Sequence, residues 1–109
     1  MGGLRVSLFL GMALAALSGV ALWSTAAAAD AAAAYKTKCS GCHGADGKGN
    51  TPVGKGLGAR DFHSPEVARQ SDADLGAIVA KGKDRMPGFE SSLNSDEIKN
   101  LITYIRQLK

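Results

Sequence analysis

Two cysteines and a histidine stand close together in this chain, as Cys39-Ser40-Gly41-Cys42-His43. Around one helical turn, positions three apart point the same way, so the two thiols can be offered together to a single partner. Sulfurs presented in this way can form thioethers with the two vinyl groups of one porphyrin. His43, next in line, can then bring an imidazole nitrogen onto the iron. The C-x-x-C-H spacing is therefore read as covalent attachment of one haem c through Cys39 and Cys42. Three other uses of such cysteines fit less well. A thioredoxin-like pair would sit near a βαβ pattern, and none is present. A zinc site would need four ligands, usually from separated pairs, and His63 is the only obvious addition. A disulfide between residues three apart closes too short a loop to constrain the unfolded chain, and it leaves His43 without a role.

An iron held by His43 has a second axial position to fill. Met1, Met12 and Met86 are the methionines of the chain, and the first two fall in an N-terminal apolar stretch. A lone methionine is usually core filler. Met86 instead sits in a Gly/Pro loop flanked by Lys81, Lys83, Asp84 and Arg85, where Pro87 and Gly88 would set a fixed turn. His63, in Asp61-Phe62-His63-Ser64-Pro65, is the rival ligand, although a surface or capping role is the commoner one for such a residue. Met86 is the favoured sixth ligand, because Met/His ligation is an established option for this cofactor. The metal ligands expected are His43 and Met86.

These residues need elements to position them. The alanine-rich stretch from Asp30, ending in Tyr35-Lys36-Thr37-Lys38, predicts a helix running into Cys39. Seven glycines fall between Gly41 and Gly58, with Asn50 and Pro52 among them, and this composition predicts one long loop. A loop of that length in a small domain is expected to wrap something. A short helix is predicted from Pro65. Ser71 followed by Asp74 predicts a capped helix start, Leu75, Ile78 and Val79 recur at helical spacing, and Gly82 is a stop. After a loop over Gly82 to Ser92, Asn94 or Ser95 caps a last helix with Asp96 and Glu97 in its first turn. Its apolar stripe is Ile98, Leu101, Ile102, Ile105 and Leu108, with Lys109 at the negative end. No alternating strand pattern occurs. The fold class is all-α, a few helices with long Gly-rich loops.

Residues 1–29 read as a secretory signal. Arg5 is their only charged residue, Val6 to Trp23 is largely apolar, and Ala26 to Ala29 completes an Ala-x-Ala end. The alternative is a retained anchor, since 24 uncharged residues (6–29) would extend roughly 36 Å as a helix. The domain is then 30–109, too short to bury a large core without a staple or cofactor. It carries twelve Lys/Arg against ten Asp/Glu, +2 overall. Such a balance argues against a nucleic-acid partner, which would need a strongly basic face.

Several of these motifs together resemble the class I c-type cytochromes, above all the small bacterial monohaem members. They are Tyr35-Lys36-Thr37-Lys38-Cys39-Ser40-Gly41-Cys42-His43-Gly44, Gly47-Lys48-Gly49 with Thr51 to Gly54, Gly82-Lys83 before Met86-Pro87, and the terminal helix with Leu101, Tyr104 and Ile105. The resemblance covers nearly all of 30–109 and implies a few-helix shell around one haem, with the first and last helices crossing so that Tyr35 meets Tyr104 and Leu101. It also implies that a main-chain carbonyl in the loop after the attachment site orients the imidazole, and Pro52 is the nearest candidate. Many relatives pack a tryptophan near a haem propionate. The sole tryptophan here, Trp23, falls in the signal, so another residue must take that role.

With both axial positions filled, electron transfer is favoured over catalysis. The expected function is a soluble, monomeric, periplasmic or otherwise extracytoplasmic single-electron carrier, not an enzyme, working between a redox donor and a redox acceptor. Membrane contact is expected only if the N-terminal segment is kept. The alternatives are a haem enzyme or gas binder with a labile Met86, and a membrane-anchored electron-entry subunit of a respiratory or photosynthetic complex. Adding the charge of ferric haem brings the domain close to neutral. Steering is therefore left to a local patch of Lys81, Lys83 and Arg85 against Asp84.

Overall fold

A computed structural model of the protein describes residues 2–3 and 23–109. The apolar run of the expected signal lies outside the described residues. From Trp23 onward the chain forms six helices, and among the described residues there is no strand beyond an isolated bridge between Lys83 and Met86.

Helix α1, Thr25–Lys38, starts five residues before Asp30 and runs through Ala29 without a break. Alanine favours helix at every step, and Lys36 and Lys38 sit favourably at its negative end. Ahead of it, the Trp23 indole donates to Asn100 Oδ1 at 3.3 Å. Helix α2, Ser40–His43, is one turn that follows α1 across Cys39 and stops at Gly44, whose φ of +80° ends the helix.

The expected uninterrupted loop from Gly41 to Gly58 is corrected here, because Pro52–Leu57 forms α3. Local capping overrides the glycine content. The Thr51 hydroxyl accepts from the Gly54 amide at 2.9 Å, Pro52 takes the first helical position, and Gly58 closes the helix in the left-handed region. Helix α4, Pro65–Arg69, starts as predicted, with Ser64 accepting from Val67 N–H. Helix α5, Asp72–Lys81, is capped by Ser71 through the Asp74 amide at 3.0 Å and ends at Gly82. Helix α6, Ser95–Ile105, has Asn94 as its cap, accepting from Glu97 N–H at 2.9 Å. It is shorter than its apolar stripe suggested. Leu108 still packs on the core from beyond the helix, and Lys109 follows it.

The core forms where α1 and α5 pack on α6. Ile98, Leu101, Ile102 and Ile105 are buried there, at roughly 1.5–3 kcal/mol of transfer free energy for each. Tyr35 of α1 sits against Tyr104 with ring centroids 5.3 Å apart, as the expected crossing requires. Arg106 ties the end of α6 to the start of α5, bonding Asp72 Oδ1 at 2.7 Å and the Gln70 carbonyl at 2.6 Å.

Candidate haem site

The joint between α1 and α2 presents the attachment motif. The His43 amide bonds the Cys39 carbonyl at 3.0 Å, and this single turn brings Cys39 and Cys42 into line on one side. Both thiols are free and half-buried. Burial pushes the Cys39 thiol up to about 11 against a weaker downward pull from Lys38, so it is protonated at neutral pH.

His43 is the one buried polar residue among those described. Its Nδ1 donates to the Arg60 carbonyl at 3.2 Å. That bond fixes the proton on Nδ1 and leaves Nε2 as the nitrogen for an iron. Arg60, not Pro52, therefore supplies the orienting carbonyl. Pro52 is spent on starting α3, and the chain after α3 brings the Arg60 carbonyl to the imidazole. Phe62 stacks on the imidazole with centroids 4.5 Å apart and planes 26° from parallel. Burial lowers the His43 pKa and so favours the neutral imidazole; the Arg60 bond opposes that shift in part, and its contribution to the ligand is the defined tautomer.

Close packing holds this wall in place. Gly54 lies against the Cys42 carbonyl, where a Cβ would collide with the oxygen. Gly47, at φ +74°, leaves the space that the Phe62 ring fills; a Cβ there would lie 2.7 Å from the ring. The Tyr35 hydroxyl donates to the Gly44 carbonyl at 2.6 Å and ties α1 to the exit from the motif.

The facing wall is α5 with the Gly82–Glu90 loop, which carries Met86. Two adjoining cavities, of about 190 and 60 Å³, lie between the walls, and both are lined by Cys39, His43, Ile78 and Met86. The larger also takes Cys42, and its sides include Leu57, Val67, Pro87 and Phe89. An apolar cleft flanked by two thiols, an imidazole and a thioether fits a porphyrin, which Cys39 and Cys42 would hold covalently and whose iron His43 and Met86 would be placed to bind. When bound, haem supplies a one-electron iron couple.

His63 is exposed and lines neither cavity; its Nε2 contacts the Asp46 carbonyl at 2.8 Å. The basic patch is divided. Lys81 lies 3.8 Å from Glu90, Arg85 bonds the Gly56 carbonyl at 2.9 Å, and Lys83 and Arg85 border the larger cavity together with Lys38 and Arg60. Trp23, bonded to Asn100 of α6, lines neither cavity. The orienting role of Arg60 left no motif to find, because it uses the main chain. Phe62 was visible only as an aromatic residue in a loop.

No curated protein matches this chain in sequence. Among solved structures, the KustC0563 c-type cytochrome is 35% identical with a TM-score of 0.67, over 73% of this chain and 98% of that one. A Tyr→Phe mutant of the same cytochrome gives 34% identity and a TM-score of 0.66, over 73% and 99%. A chain of the Kuenenia stuttgartiensis reducing HAO-like protein complex Kustc0457/Kustc0458 is 24% identical with a TM-score of 0.68, covering 83% of this chain and 47% of that one, a likeness of fold alone. The family described as cytochrome c oxidase, cbb3-type, subunit III matches residues 26–105. This chain belongs to that family and is a small c-type cytochrome, all-α, of the class that transfers electrons.

Proposed function

We propose that the protein is a single-electron carrier holding one haem c, joined through Cys39 and Cys42, with His43 and Met86 as axial ligands. The observation that carries this reading is the convergence of Cys39, His43 and Met86 on both cavities of one cleft. Two occupied axial positions leave no site for a substrate. The thioether favours ferrous iron, and the apolar lining disfavours the extra charge of the ferric state, so the potential is expected to be positive. Arg60 and Phe62 hold the imidazole still, which keeps reorganisation on electron transfer small. The working form is a monomer of about residues 30–109 outside the cytoplasm, meeting a protein donor and acceptor through the cleft rim.

The test is spectroscopic. Acid–organic extraction should leave haem on the polypeptide, and the ferric protein should show the weak far-red sulfur-to-iron band. Met86→Ala should abolish that band and lower the potential. An unchanged spectrum in Met86→Ala would move the sixth ligand elsewhere, with His63 the first to examine.

A second reading is favoured by the continuity of α1 across Ala29 and by the bond from Trp23 to Asn100. In it the N-terminal segment is kept, and the domain serves as the electron-entry subunit of a membrane complex, in keeping with the family description. No helix among the described residues is long and apolar enough to cross a membrane. Residues 4–22, on which this reading depends, lie outside them.

A further inference from the structure

The main-chain anchors of the Met86 loop all lie on one side of the cleft. Lys83 and Met86 exchange hydrogen bonds across a tight turn, at 3.1 and 2.9 Å. Phe89 and Glu90 then bond the Val79 and Ala80 carbonyls of α5, at 2.9 and 3.1 Å. Gly88 lies so close to the end of α5 that a Cβ would come within 2.7 Å of the Ala80 oxygen. Among the described residues, one hydrogen bond joins this loop to the opposite wall: Arg85 Nη1 donates to the Gly56 carbonyl at 2.9 Å, 29 positions earlier in the chain.

Both ends of that bond have a reason to be there. Gly56 is in the last turn of α3, where carbonyls lack an intrahelical partner and carry the negative end of the helix dipole. A guanidinium is a natural partner for such an oxygen. On the other side, Arg85 follows Asp84, whose φ of +51° is a conformation that L residues seldom adopt. Asp84 belongs to the turn that puts Arg85, directly before Met86, on the lining of the larger cavity.

We propose that Arg85 is a positioning residue for the sixth ligand: its bond to Gly56 latches the Met86 loop to the wall that carries His43 and limits the entry of competing ligands. The latch rests on the reading of Met86 as an axial ligand. It also separates Arg85 from a docking role. A docking residue alters the salt dependence of electron exchange, whereas a latch alters how often the methionine lets go.

Imidazole binding to the ferric holoprotein, followed by stopped flow, reads that opening directly. Arg85→Leu, which removes the donor, should take up imidazole roughly three- to tenfold faster and more tightly, the factor expected for losing one net hydrogen bond from the closed state. It should keep its far-red band at neutral pH when imidazole is absent. Arg85→Lys, which keeps the charge and a donor, should return the rate towards that of the wild type. An Arg85→Leu protein with wild-type imidazole kinetics and affinity would overturn the latch while leaving the axial ligands as proposed. A wild-type protein without the band, whose imidazole binding is unchanged by Met86→Ala, would overturn the ligand reading and the latch with it. If Arg85→Leu fails to hold haem, Arg85→Ala, which also lacks a donor, carries the same expectation and the same refutation.

Discussion

Replacing Tyr35 with phenylalanine removes one hydroxyl from a side chain that is only 2% exposed, and the surrounding packing can stay as it is. The hydroxyl donates to the Gly44 carbonyl at 2.6 Å, and the Gly44 oxygen is also the acceptor for the Gly47 amide at 3.2 Å. Because that oxygen keeps one donor, the loss belongs with a net hydrogen bond of about 1 kcal/mol, not with the larger cost of an orphaned buried acceptor. For a domain of this size, that lowers the melting temperature by about 4–8 °C. Tyr35→Phe should therefore be less stable than wild type by that amount at pH 7, in guanidinium unfolding of the holoprotein followed by circular dichroism. The pH dependence gives a sharper test. Burial raises the Tyr35 pKa well above its usual value, so the folded protein keeps the phenolic proton after the unfolded chain has begun to release it. A raised folded pKa means that the contribution is complete below the unfolded pKa, about 10, and falls as pH rises above it, by up to ~1.4 kcal/mol per unit. Phenylalanine has no such proton to lose. The two stability curves should converge above pH 10 and meet at about pH 10.6. Titrations common to both proteins cancel in this difference. A gap that stays constant from pH 7 to pH 11, or no gap at pH 7, would refute the reasoning.

Gly54→Ala should cost about 1–3 kcal/mol, because its Cβ meets the Cys42 carbonyl and two further oxygens that cannot yield cheaply. Gly56→Ala on the same helix meets nothing within 4 Å and should be neutral or gain up to about 1 kcal/mol. Equal melting temperatures for the two variants would contradict the close approach of α3 to the attachment motif. Intact-mass measurement on native protein should give a polypeptide starting near Asp30 plus one haem, and a mass that includes residues 1–29 would favour the anchored reading.

The parts of the fold legible in the sequence were those written in side chains with local effects. Ser71, Asn94 and Pro65 mark helix starts through caps and a fixed φ, and the stripe of α6 follows from its 3.6-residue period. Cys39, Cys42 and His43 declare a site by spacing, and Met86 by the company of Pro87 and Gly88. Helix α3 was hidden because its glycines oppose helix by propensity, while Thr51, Pro52 and Gly58 act at its two ends and outweigh them. The Arg60 carbonyl was out of reach for a different reason. Any residue could supply a main-chain oxygen, so only the path of the chain after α3 decides which one lies under His43. The same holds for the bond of Arg85 to Gly56, whose acceptor is again main chain. Read from charge alone, Arg85 belonged to a docking patch.

The central claim is a closed iron site built for electron exchange, and carbon monoxide uptake by the reduced, folded protein at neutral pH tests it most directly. With His43 and Met86 both bound, uptake should be slow and incomplete, while electron exchange with small redox dyes is fast. Rapid, complete binding of carbon monoxide by native protein would contradict the account and mark the site as one that opens for catalysis or gas binding.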